Sequence, residues 1–324
     1  MANVPKALRQ ALDQAFMVCA VEQVRVAESR DGTRKFLLRL QDDETIETVL
    51  IPTEERSTVC VSTQVGCPVR CAFCASGRRG LVRDLSVGEI VDQVLFASAM
   101  LGRRVDNIVV MGMGEPLLNL DAVTAALNRL CNPDLAGFGA RHVTVSTSGI
   151  VPGIRRLADE GRQWNLALSL HATTDRARAE FIPDRHRYPL TQVLDACGRY
   201  REKTGRMVTF EYALLSGRND SDLDAQDLAR MALSLRAKVN LIPCNSTGGV
   251  FEAPDGGACR RFLSLLRERG TRAWTDSTVA LPPCVPAVAG RAYPLRLVPG
   301  RLRSKEKCGL AGSPALTVFA TVVS

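Results

Sequence analysis

The stretch that decides the reading is Gly66-Cys67-Pro68-Val69-Arg70-Cys71-Ala72-Phe73-Cys74. Its three cysteines, spaced C-x3-C-x2-C, follow an apolar segment, Val59–Ser62, that reads as a strand. Three thiolates on one tight loop can ligate three irons of a cubane cluster and leave the fourth iron open. Zinc is the rival, but it usually takes a fourth Cys or His, and none lies nearby in the sequence. Three buried structural thiols are the plainest alternative. Cys67, Cys71 and Cys74 are therefore expected to hold a [4Fe–4S] cluster, with Phe73 shielding it.

Working outward, strand-like and helix-like segments alternate from Val59 onward. Strands are expected at Val59–Ser62, Asn107–Met111, His142–Ser146, Asn165–Leu170, Met207–Leu214 and Lys238–Ile242. Helices are expected at Val87–Leu101, Asp121–Leu130, Val151–Glu160, Leu190–Lys203, Asp222–Leu235 and Ala258–Arg269. The strands are almost wholly apolar, as expected when both faces are buried. This is an α/β chain whose six units imply a partial (β/α)6, TIM-like barrel with helices outside. Upstream, residues 1–20 read as a short helix, and Phe36–Leu40 and Thr45–Ile51 read as a hairpin about Asp42-Asp43-Glu44. Boundaries are expected at 1–55 for the N-terminal region, 56–270 for the core and 271–324 for a Pro-, Gly- and Arg-rich tail without clear period.

Bulk composition narrows the class. The chain has 324 residues, with 46% hydrophobic and 23% charged, which argues against global disorder. No apolar run reaches the roughly eighteen residues of a membrane-spanning helix, and Met1–Gln14 lacks an apolar signal core. A cytoplasmic location is expected. The net charge of +8 rests mostly on arginine, which fits phosphate contact or simply an Arg-favouring genome. Aromatic residues, at 5%, offer few stacking platforms. Eleven cysteines in a cytoplasmic chain do not read as a disulfide framework; Cys19, Cys131, Cys197 and Cys259 read as packing residues.

Polar residues gather where strands end, the rim that carries chemistry in such sheets. Met111-Gly112-Met113-Gly114-Glu115-Pro116 offers close backbone approach and a carboxylate suited to an ammonium or a ribose hydroxyl. Ser146-Thr147-Ser148-Gly149, Ser169-Leu170-His171 and Asn240–Asn245 end later strands. A lone histidine such as His171 is more often a structural hydrogen-bonder than a catalyst.

The cysteine spacing is the signature of the radical S-adenosylmethionine superfamily. Within it, the chain strongly resembles the RlmN/Cfr-type RNA adenosine methyltransferases. The resemblance is carried by Ile46-Glu47-Thr48-Val49, Cys60–Cys67, Met111–Asn119, Val143–Pro152, Ser169-Leu170-His171-Ala172, Glu211-Tyr212 and Asn240–Asn245, within roughly residues 30–270. It implies a [4Fe–4S] cluster and S-adenosylmethionine as cofactors. It implies methylation of an adenosine ring carbon, C2 in preference to C8, in ribosomal or transfer RNA. A cysteine near the C-terminus would be methylated first, then lose hydrogen to a 5′-deoxyadenosyl radical and add to the adenine. By the same matching Glu47 is the proton acceptor and Cys60 the resolving cysteine, so a disulfide bond is among the expectations. Gly114, Glu115, Ser146, Ser169, Leu170, His171 and Asn245 match S-adenosylmethionine contacts. Monomeric action with a reducing electron-donor protein is expected. Read without the resemblance, Cys60 could be a buried thiol and Glu47 a solvated strand residue.

Two departures stand out. Only about 30 residues precede the matching region, where the family has a longer helical domain. The family's closing R-G-x-D-I-x-A-A-C-G-Q-L-like stretch is not found; Cys308-Gly309-Leu310-Ala311-Gly312 is the nearest match, and Cys284 lies closer to the expected spacing. Cys308 is taken as the methyl carrier. The tail's composition resembles an out-of-frame GC-rich segment, which reading the gene in its other two frames tests. Rival readings are a radical enzyme acting on a small molecule or peptide, an inactive RNA-binding paralogue, and a zinc protein.

Overall fold

The structure, a computed structural model, describes residues 5–8, 20–244 and 251–275. Strands β1 (Glu22–Glu28), β2 (Arg34–Arg39) and β3 (Thr45–Pro52) form an antiparallel meander, and β3 pairs antiparallel with β4 (Ser57–Cys60). A separate hairpin of β5 (Gln64–Gly66) and β6 (Leu81–Asp84) brackets the cysteine loop. The main sheet continues in parallel through β7 (Asn107–Val110), β8 (Val143–Thr147), β9 (Asn165–Ser169), β10 (Val208–Leu214), β11 (Lys238–Pro243) and β12 (Ala273–Thr275). The result is one open ten-stranded sheet with β1 and β12 at its edges. The parallel part is the expected partial barrel.

Helices α1 (Val87–Leu101), α2 (Leu120–Cys131), α3 (Val151–Asp159), α4 (Asp175–Phe181), α5 (Leu190–Thr204), α6 (Asp222–Leu235) and α7 (Gly256–Glu268) connect or follow the strands. Their starts are chemically marked. Ser86 with Glu89 and Ser221 with Asp224 form capping boxes on α1 and α6, and such caps contribute about 1 kcal/mol each. Gly102 and Gly205 end α1 and α5 in the left-handed conformation.

Register sorts the strand residues into two faces, because side chains alternate along each strand. Val59, Ile108, Val143, Leu166, Val208, Leu168, Phe210 and Val239 lie on one face, fully buried in the core shared with the helices. The other face carries polar groups. Lys35, Val49, Cys60 and Val109 are direct neighbours across it, and so are Ser169, Glu211, Asn240 and Trp274. One-residue alternation has thus separated a dry core from a chemical surface.

The expected strands and helices of the core are found with ends shifted by a few residues. The elements that sequence reading missed are β1, the β5–β6 hairpin, α4 and β12. The missed β5, β6 and β12 are only three or four residues long and carry too few residues to show a period. α4 has one turn of apolar signal, hidden among arginines. β12 extends the parallel sheet with residues from the segment read as tail. Of the expected N-terminal helix, residues 6–8 are described as helical and 9–19 lie outside the described residues. Eight cysteines are described and all are free, so no disulfide exists among the described residues; the disulfide expected from the resemblance is not found there. No helix among them is long and apolar enough to cross a membrane.

Candidate active site

The cysteine loop starts where Gly66 turns the chain at φ +77°. A Cβ at this position would sit 1.9 Å from the Gly80 carbonyl oxygen, so only glycine fits. The Cys67 N–H donates to that same oxygen at 3.0 Å, and the Ala72 N–H donates to the Phe181 carbonyl at 2.9 Å. The loop is therefore tied to the hairpin on one side and to α4 on the other. Cys67, Cys71 and Phe73 pack with Val69, Phe181 and Leu215 in a small apolar cluster. Phe73 meets His171 edge-on at 4.8 Å and Phe181 at 6.3 Å.

Two polar clamps hold the strand ends that present this loop. Gln93 of α1 accepts from Thr48 Oγ1 (2.8 Å) and the Ser62 N–H (2.7 Å), and donates to the carbonyls of Ser62 (3.0 Å) and Glu89 (3.1 Å). Asn119 donates to the carbonyls of Thr63 (2.8 Å) and Leu85 (2.9 Å). The Met111–Gly114 turn lies against the same segment: a Cβ on Gly114, at φ +107°, would come within 2.7 Å of Gln64 Cβ.

Glu115 follows this turn and is buried. Its carboxylate accepts from the Ser148 N–H at 2.7 Å and the Leu117 N–H at 3.1 Å. Burial raises its pKa, opposed by these hydrogen bonds to the charged form. Ser146 and Ser169 stand on adjacent strands with hydroxyls 3.4 Å apart. The Leu170 N–H donates to the Glu211 carbonyl at 3.0 Å. His171 adopts φ +57° and is buried, with Nδ1 accepting from the Ala213 N–H at 3.0 Å. Burial, helped by Arg178, depresses its pKa to about 3, so the ring is neutral at ordinary pH.

Glu47 and Cys60, thirteen positions apart in the chain, come together on the chemical face. Val49 pairs with Cys60, and Glu47 lies two residues from Val49 on the same side of β3. Burial pushes the Cys60 thiol up to about 12, and the nearby Glu47 charge adds to this. Glu47 is buried, not a solvated strand residue, and its Oε2 lies 3.5 Å from Lys35 Nζ.

Four residues around the site were given no role of their own by sequence reading. Lys35 looked like any strand lysine until register set it beside Glu47. Glu211, quoted only within the resemblance, and Asn240, read only as part of a segment that ends a strand, form a buried pair with Asn240 Nδ2 donating to Glu211 Oε2 at 2.8 Å. Asn240 Oδ1 is buried without a partner. Arg178 is fully buried in α4 and donates to the carbonyls of Ser148 and Tyr188, while its Nε lacks a partner. The signal that could have found it is an arginine on the apolar face of a short helix. Asn245 and Cys308 lie outside the described residues.

The donor set fits an iron–sulfur cluster. Burial first, then mutual repulsion with Cys74 and Glu115, raises the Cys67 thiol to about 11, and Cys71 is raised further. A cationic iron core relieves that penalty, and the buried Arg178, close enough to Cys71 for their charges to interact, offsets the thiolates' charge. Among the described residues no three His, Cys, Asp or Glu side chains converge on a single metal ion. A cubane asks for a different arrangement, with each thiolate on its own iron.

A loop of three cysteines packed beside Ala172 and Leu215, just beyond the carboxyl ends of two parallel strands of an open α/β barrel, marks the class of radical S-adenosylmethionine enzymes. The Radical SAM superfamily model matches residues 61–229, over half of the chain. The particular family follows from its relatives. The chain is 43% identical to the dual-specificity RNA methyltransferase RlmN of Anaeromyxobacter dehalogenans, over 97% of this chain and 86% of that one. It is 46% identical to the probable dual-specificity RNA methyltransferase RlmN of Heliobacterium modesticaldum, over 84% and 74%. A crystal structure of a radical SAM methyltransferase from Sphaerobacter thermophilus superposes with a TM-score of 0.81 at 46% identity, covering 85% of this chain and 82% of that one. The chain belongs to the RlmN family of radical SAM RNA methyltransferases. The Anaeromyxobacter match leaves out fewer residues than 271–324 contains, so relatedness extends into the segment expected to be a divergent tail.

Proposed function

We propose that this protein methylates an adenine ring carbon, C2 in preference to C8, of ribosomal RNA or transfer RNA, through a methylated cysteine. The observation that carries the reading is the convergence of Glu47 and Cys60 on the face that also holds Ser146 and Ser169. An aromatic C–H is not nucleophilic, so polar methyl transfer fails there and radical addition is needed.

Cys67, Cys71 and Cys74 would hold the cluster through Sγ. With S-adenosylmethionine bound, that cluster supplies one-electron cleavage to a hydrogen-abstracting carbon radical. Gly114 and Glu115 receive the amino group of S-adenosylmethionine, and Ser146, Ser169, Leu170, His171 and Asn245 complete its pocket. Phe73 excludes water beside the loop. Glu47 accepts the proton from the substrate carbon, with Lys35 Nζ on the neighbouring strand 3.5 Å from its Oε2. Cys60 Sγ then attacks the tail cysteine's sulfur: a disulfide forms as that sulfur's bond to the adenine-linked carbon breaks, and the released carbon takes up a proton to become the methyl group. Cys308, or Cys284 in its place, carries the methyl group. The enzyme acts as a cytoplasmic monomer and takes electrons from a reducing protein.

The test is anaerobic reconstitution with methyl-labelled S-adenosylmethionine and ribosomal RNA, followed by nucleoside mass spectrometry and a peptide map. Label on adenine C2 and on one tail cysteine is expected. Release of 5′-deoxyadenosine without labelled RNA would favour a small-molecule or peptide substrate. No 5′-deoxyadenosine would favour an RNA-binding paralogue.

A further inference from the structure

Between the cysteine loop and the β5–β6 hairpin lies a cleft of about 430 Å³ that the chemistry above does not use. Arg70, Arg79, Arg185 and His186 line it, and its single lining carboxylate, Asp84, already accepts from Gln64 Nε2 at 2.7 Å. Arg70 sits between two cluster cysteines at φ +58° and lies over Gly80. The Arg70 Nε stands 3.6 Å from where a Gly80 Cβ would lie, so the guanidinium rests directly against this glycine. Arg79 pairs with Glu44 at 3.3 Å, a half-exposed contact of the kind worth little in water. His186 Nε2 is buried without a partner, and burial together with Arg185 lowers the ring's pKa, favouring the neutral form.

The cleft therefore concentrates forked cationic donors with little opposing charge. Arginine meets phosphate oxygens through two parallel N–H bonds, and a neutral imidazole can donate one more. The volume falls in the roughly 300–1,000 Å³ range of clefts that swallow a small ligand. A docked protein instead needs about 800 Å² of matching surface.

We propose that this cleft binds a backbone phosphodiester of the RNA, next to the adenosine presented to the site. The proposal rests on the RNA reading above and adds to it a place and a set of residues.

The test uses the cluster-loaded full chain and a labelled ribosomal RNA fragment, with affinity measured across potassium chloride concentrations. Arg79→Gln and Arg185→Gln are each expected to flatten the slope of log K against log salt by about 0.7–0.9. Each should also weaken binding several-fold at fixed salt. Arg185→Lys should retain most of the slope. Glu44→Gln, which releases Arg79, should tighten binding about two- to threefold, a gain that misfolding cannot produce. Iron content and circular dichroism report folding in every variant.

Wild-type slope and affinity in both glutamine variants, with no gain from Glu44→Gln, would overturn the proposal. Unchanged RNA binding with slower reduction by an acidic electron-donor protein would overturn it too, and would assign the cleft to that donor. A wild-type chain that binds no RNA at any salt would instead sink the RNA reading beneath it.

Discussion

His171 holds a conformation that favours glycine or asparagine, and it does so with a ring that never needs its proton. Its folded pKa of about 3 lies below the ordinary value of 6.5, so the unfolded chain binds the proton more readily over that window. Stability therefore rises with pH between those values, by about 1.4 kcal/mol per unit from this group alone. Asparagine tolerates positive φ and can accept from the Ala213 N–H. His171→Asn is expected to flatten the acid side of the stability profile, read from urea midpoints at pH 5.5 and 7.5. An unchanged pH slope would show that another group carries it. Lys35 and Glu47 give a second residue-scale prediction. Lys35→Met leaves a buried carboxylate unpaired and is expected to destabilise by about 2–4 kcal/mol. Adding Glu47→Leu should restore part of that loss in a double-mutant cycle measured by urea unfolding.

At the scale of elements, the cysteine loop is positioned by parts that lie outside it. α1 reaches into the sheet through Gln93 and ties Thr48 of β3 to Ser62, just beyond β4. Gln93→Leu keeps the volume but leaves the Ser62 N–H and carbonyl without these bonds inside the core. The expected cost is about 3 kcal/mol, from unsatisfied buried groups at roughly 1–3 kcal/mol each. Iron retained per chain after mild heating should fall in parallel, because the strand end feeds Cys67. An intact iron content in a clearly destabilised variant would separate the clamp from the loop. The hairpin β5–β6 plays the complementary part, since its Gly80 carbonyl receives the Cys67 N–H.

At the scale of the whole molecule, the open sheet distributes stability unevenly. β8 and β9 lie in its middle with wholly buried valines and leucines, whereas β1 is an edge with exposed positions such as Val24. Amide hydrogen exchange is expected to be slowest in β8 and β9, at the global unfolding free energy, and orders of magnitude faster along β1. Comparable protection in β1 would mean that the meander and the barrel unfold as one unit.

Much of this architecture was legible in the sequence, because parallel strands buried on both faces read as short apolar runs separated by capped helices. The cysteine loop was legible for a similar reason: its three thiols lie within one short local segment, so spacing alone singles them out. Cys60 and Glu47 could be singled out only through a family likeness, since nothing local in the chain sets this thiol or this carboxylate apart from its like elsewhere. Lys35, Arg178 and the Glu211–Asn240 pair were not legible, because each owes its significance to a neighbour on another strand or helix. What the sequence determined by itself is the order of elements and the C-x3-C-x2-C spacing, both local properties of the chain. Only the tertiary structure decided which face of the sheet is polar and which charges meet there. Strand register is a long-range choice, and a shift of one residue would have turned Cys60, Ser169 and Glu211 into the helix-covered core.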